Sequence, residues 1–83
     1  MEEKQKMKLY QKIKLNSFIG TIIEIFPLEA LENCYSKSEY IQRCFKGNDY
    51  FEVQVLIEQH DNPKMLGKTV IISKEELSEY SLI

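Results

Sequence analysis

Cys34, Cys44 and His60 are the side chains of this 83-residue sequence best suited to hold a metal or attack a substrate. On one continuous helix, ten residues would separate the two thiols by ~15 Å. A disulfide needs Cα atoms within ~7 Å, so that pair would not close. Zinc takes four ligands, usually in closely spaced Cys or His pairs, and two cysteines with one distant histidine do not supply them. Both cysteines are therefore expected to be buried as small apolar side chains, and no metal or cofactor is expected. His60 and Asp61 have the types of a general-base pair, but Asp61-Asn62-Pro63 is turn chemistry. Glu75-Glu76 suits the positive end of a helix. No glycine-rich phosphate loop, GxSxG or HExxH is present. The sequence is not expected to encode an enzyme.

Chemistry by binding is better provided for. Lys8, Tyr10, Lys12 and Lys14 alternate along one stretch, preceded by Lys4 and Lys6. On a strand they form one row, able to stack a base and neutralise phosphates of single-stranded nucleic acid. Lysines so placed also guard a sheet against strand-to-strand association. A second set is acidic and rich in tyrosine: Glu29, Glu32, Tyr35, Glu39, Tyr40, Asp49, Tyr50 and Glu52, with Glu58 beyond. Tyrosine gives contact area at low entropic cost, and carboxylates around it steer a basic protein partner. An ordinary solvated helix face has the same composition.

Charge is unevenly spread behind the formal net value of −2. Residues 1–16 hold five lysines against Glu2 and Glu3, whereas residues 17–58 hold Lys37, Arg43 and Lys46 against seven acids. A basic arm over 1–6, expected to be disordered, thus precedes an acidic body. Duplex-DNA binders usually show a broad basic surface, which this composition does not provide. One arginine against ten lysines hints at AT-rich coding, as in low-GC bacteria and their phages. No run reaches the ~18 apolar residues that span a bilayer. The N-terminus has no apolar core of a secretory signal, so a cytoplasmic protein with reduced thiols and no membrane association is expected.

The elements that must position these groups follow from hydrophobic period. Met7, Leu9, Ile13 and Leu15 alternate with the lysine row, predicting a half-buried strand over 7–15. Asn16-Ser17 is a turn, and Phe18–Phe26 a strand apolar on both faces, with Gly20 marking a bulge or bend. Pro27 opens a helical segment over 28–46, whose Leu28, Leu31, Cys34, Tyr35, Ile41, Cys44 and Phe45 form one stripe. Ser36-Lys37-Ser38-Glu39 either continues that helix or, with Ser36 as N-cap and Glu39 reaching back, forms a capping box that divides it in two. Tyr50–Glu58 alternates strictly, with Phe51, Val53, Val55 and Ile57 on one side. A loop over 59–67 leads to a short strand over 68–73, and Ser73 with Glu76 starts a terminal helical turn.

The expected fold is a single α+β domain over 1–83 in the order β-β-α-β-β-α. Four mostly antiparallel strands pack on the helical segment; an SH3-like barrel with a helical insertion is the alternative. The expected function is a non-enzymatic protein-binding module using the acidic, tyrosine-bearing face. Its narrower form is a small phage or mobile-element protein that inhibits a host nucleoprotein machine, as anti-CRISPR-type inhibitors do. Single-stranded nucleic-acid binding by Lys8, Tyr10, Lys12 and Lys14 is the alternative, and open sheet edges leave homo-oligomers available.

Overall fold

The computed structural model describes residues 8–82; the expected basic arm over 1–6, and Met7, lie outside them. The strands are β1 (Lys12–Lys14), β2 (Phe18–Pro27), β3 (Phe51–His60), β4 (Thr69–Ser73) and β5 (Ser81–Leu82). Between β2 and β3 stand α1 (Leu28–Leu31) and α2 (Lys37–Cys44), and 3-10 turns cover Pro63–Met65 and Glu76–Glu79. The four longer strands form an antiparallel sheet, and two-residue β5 adds to its β1 side, giving the order β4-β3-β2-β1-β5. Among the described residues no pairing joins β4 to β5, so the sheet stays open and the barrel alternative is not adopted.

Period-two patterning is obeyed where the chain is longest and most apolar. Val53, Val55 and Ile57 are buried on one side of β3. Ile13, Ile22, Val53, Val55 and Ile72 come from four strands and meet in one cluster, which Leu77 of the last 3-10 turn completes. The helical segment lies outside that cluster. Its Leu31 is buried, but α2 buries none of its residues. The expectation that the cysteines are core residues is overturned: Cys34 and Cys44 are both exposed free thiols.

The first strand is shorter than its alternation predicts. Tyr10 has φ +66, a left-handed conformation that interrupts an extended run. Gln11, the polar residue in the apolar row, closes a turn there: its Oε1 accepts from the Lys8 backbone N–H at 3.2 Å. Leu9 is consequently exposed rather than inward. The Tyr10 N–H still donates to the Ile22 carbonyl, so the segment remains on the flank of β2. The helical segment takes the divided alternative at Ser36, with both reciprocal bonds of the capping box formed.

Gly20 sits at a register shift between β2 and β3, as its place in the sequence implies. A Cβ there would lie 2.5 Å from Val55 Cγ1 and 2.6 Å from the Leu56 carbonyl oxygen. The carbonyl cannot withdraw without moving β3, and the Val55 methyl can do so only by leaving its packed rotamer. Gly20→Ala is therefore expected to destabilise the fold by about 1–3 kcal/mol, measured as a lower urea midpoint at unchanged slope.

Candidate functional site

Glu52 is the most informative side chain in the molecule. It lies on the β3 face opposite the main core, yet it is only 3% exposed. Oε1 accepts a hydrogen bond from the Tyr35 hydroxyl at 2.6 Å. Oε2 accepts from the Tyr50 hydroxyl at 2.5 Å and from Arg43 Nε at 3.0 Å. Arg43 also lies 3.7 Å over the Tyr35 ring and donates through Nη1 to the Glu39 carbonyl. Four residues from β3, α2 and the connections beside them thus form a closed clamp.

Electrostatics in the clamp follow from burial set against partners. Burial is the largest influence on Glu52 and would raise its pKa, but three donors together hold it below the usual carboxylate value. Burial first, then the bond to Glu52, pushes the Tyr50 phenol well above its ordinary range. Tyr35 is raised foremost by donating to the Glu52 anion. Arg43 loses solvation, which lowers its pKa, but the contact with Glu52 more than offsets this. Glu52 is therefore held as an anion with three donors on its two oxygens. Among the described residues no buried side-chain nitrogen or oxygen lacks a partner.

The clamp fixes how α2 sits. Successive residues rotate by about 100° on a helix, so Arg43 and Lys46 share one side. Arg43 reaches Glu52, while Lys46 Nζ lies 3.1 Å from both carboxylate oxygens of Glu75 and 5.5 Å over the Tyr50 ring. A polar cleft of about 490 Å³ remains between α2 and β4. The other side of α2 carries Ile41, Cys44 and the C-cap Phe45, with Lys37 one turn before Ile41, and half-buried Tyr40 lies between the two sides. Phe45 is 84% exposed and Ile41 44%. Arg43 and Lys46 thus face the protein, while Ile41, Cys44 and Phe45 face out beside Lys37.

The tyrosine and acidic residues nominated from sequence separate into two groups. Tyr35, Tyr50 and Glu52 belong to the internal clamp; Tyr50 and Glu52 are buried, which corrects their assignment to an open docking face. Glu39 closes the capping box, and exposed Asp49 pairs with Lys74. Glu29 and Glu32 are exposed beside α1. The Tyr40 pKa is raised foremost by the Cys44 thiol one turn on, then by lost solvation, and least by these two acids. Both acids belong to the α1 segment that packs against α2. Arg43, Ile41 and Phe45 were not nominated. The lone arginine was the available signal for the first, since a planar fork suits a carboxylate better than lysine does.

The lysine row is not assembled as expected. Lys12 and Lys14 share a face of β1, but Lys8 and Tyr10 precede the strand in a turn. Lys12 Nζ is 2.6 Å from Glu58 Oε1 and also reaches Thr21. His60 ends β3, stacks on Phe18 with centroids 5.9 Å apart, and accepts through Nδ1 from the Asn62 N–H, as a turn residue does. Among the described residues no group of three or more His, Cys, Asp or Glu could hold a metal ion. No described helix is long and apolar enough to cross a membrane. Comparison with known proteins gives no match to a family model, a curated protein or a solved structure.

Proposed function

We propose that the protein is a non-enzymatic binding module that docks through Tyr40, Ile41, Cys44 and Phe45 onto a basic surface of another protein. The outward placement of Ile41, Cys44 and Phe45 carries this reading. An eight-residue helix is marginal on its own, and here Arg43 and Lys46 tether it from behind while its apolar side is left to solvent. An aromatic and aliphatic patch with a charged rim is what a protein interface uses as its centre. The adjoining α1 segment is acidic, through Glu29 and Glu32, which attracts a basic partner and repels a second copy presenting the same acids.

Basic surfaces with apolar islands line the nucleic-acid channels of nucleoprotein machines, so the narrower proposal is an inhibitor of such a machine, encoded by a phage or mobile element. The clamp supports a non-enzymatic role, because the Glu52 oxygens are occupied by three donors rather than open to substrate. Free thiols at Cys34 and Cys44 suit a reducing compartment such as the cytoplasm. No observation favours the nucleic-acid reading, since Tyr10 breaks the row and Lys12 is held by Glu58.

Photocrosslinking tests this. A Cys34→Ser variant carrying a benzophenone on Cys44 is expected, in a lysate of a low-GC bacterium, to attach to a basic protein. Phe45→Asp, and separately Glu29→Lys with Glu32→Lys, should remove that adduct while circular dichroism stays unchanged. An adduct indifferent to these substitutions, or one with the mass of two copies of this chain, would overturn the proposal.

A further inference from the structure

A second surface, independent of α2, lies along the sheet edge at β4. Here Lys74 N–H donates to the Phe51 carbonyl and Ile57 N–H to the Lys68 carbonyl. In an antiparallel ladder, alternate residues turn their backbone groups to the same neighbour. Residues 68, 70, 72 and 74 therefore face β3, and Thr69, Ile71 and Ser73 direct their backbone groups outward, the Ser73 N–H being taken by Glu76 Oε1. Among the described residues no strand lies beyond them in the sheet order. Thr69 and Ile71 are exposed, Ile71 at 46%.

Edges of this kind are normally blunted by lysine, proline or a bulge within the strand. The β4 sequence Thr-Val-Ile-Ile-Ser has none of these, and its register with β3 is regular. Its charges stand at the ends instead, at Lys68 and Lys74. We infer that β4 accepts an extended segment of a partner protein as an added antiparallel strand, one with β-branched residues at its centre and acidic residues at its ends.

Charge selects that occupant over a second copy. A second copy supplies no acid to either end: centred on Ile71 it sets Lys68 against Lys74, and centred on Val70, with Thr69 opposite Ile71, it leaves both lysines without a carboxylate. Like charges directly opposite destabilise a strand pair. Lys74 is partly neutralised by Asp49, but Lys68 has no such contact among the described hydrogen bonds and ion pairs. A segment ending in glutamates turns both contacts favourable.

The test uses the full chain and a capped heptapeptide, acetyl-Glu-Thr-Val-Thr-Val-Thr-Glu-amide, followed by amide NMR. Saturable shifts are expected at Thr69 and Ile71, with slowed hydrogen exchange of those two amides. A version of the peptide with lysine ends should bind several-fold more weakly, and Lys68→Glu should reverse that order. Ile71→Pro should abolish binding; its lost N–H faces away from β3, and the amide spectrum will report whether the fold survives. If that variant unfolds, the Lys68→Glu reversal decides. Shifts confined to α2, or none at the solubility limit of the peptide, would overturn the inference. So would protection of Thr69 and Ile71 that develops without peptide as protein concentration rises, because the edge would then belong to a second copy.

Discussion

Replacing Glu52 with alanine is expected to cost about 3–5 kcal/mol, the range for breaking a buried ion pair from one side. The substitution strands Arg43, whose side chain is 22% exposed, and leaves the buried Tyr50 hydroxyl without its acceptor. A small domain has only about 5–15 kcal/mol in total, so most of the stability is at stake. Glu52→Gln keeps the shape but sets an amide N–H₂ among groups that all donate, and should fall between alanine and the parent. Tyr50→Phe removes one of three donors and should cost about 1–2 kcal/mol. In a cycle with Arg43→Ala, the effects should couple rather than add. Urea titration measures the totals. Amide exchange across Lys37–Cys44 should show α2 opening first in the Glu52 variants, since its tether is gone.

Acid should act through the same carboxylate. The folded protein holds Glu52 as an anion below its ordinary pKa, so its contribution is complete above the unfolded value of about 4.3. That contribution is lost as pH falls through the lower folded value. Urea midpoints measured from pH 6 downwards (a range set by that value of about 4.3,) should drop in the parent and flatten in Glu52→Gln. At the alkaline end, Tyr50 and Tyr35 hold their protons more firmly when folded. Stability should therefore begin to fall as pH passes the free tyrosine value of about 10.

The difference between legible and illegible features lies in how far each must reach for its partner. Ser36 with Glu39 is satisfied three residues away, so its cap is written locally. Val53, Val55 and Ile57 share a side because a pleat leaves no other choice. The same pleat assigns Glu52 to the opposite side, but whether anything covers that side depends on how the 28–46 segment folds back. Periodicity likewise finds the stripe on α2 without its direction. Two charged tethers, Arg43 and Lys46, turn the stripe outward and carry Cys44 with it, which is why that cysteine is exposed. Tyr10 leaves the strand because one polar residue, Gln11, closes a turn on Lys8. β5 has two residues and no pattern of its own; it exists by pairing with β1.

That pairing makes Leu77 the second position of large expected effect. The turn over Glu76–Glu79 is started by Ser73 and Glu76, whose side chains each accept from the other's backbone N–H. It sends one side chain, Leu77, into the cluster with Ile13, Val53 and Ile72. Leu77→Ala should cost about 2–5 kcal/mol, combining lost transfer energy with a cavity that strands on both sides hold open. The loss should be local before it is global. β5 follows the turn directly and is joined to β1 only at Ile13–Leu82 and Lys14–Ser81, too little to hold without the anchor. Amides of β1 and β5 should therefore exchange faster in Leu77→Ala, under conditions where β3 and β4 remain protected. Leu77→Met, which keeps the volume, should cost under about 1.5 kcal/mol and leave β5 in place. Equal acceleration across all five strands would mean that the turn and the sheet open as one unit, and that Leu77 is an ordinary core residue rather than the pin that fastens the last strand.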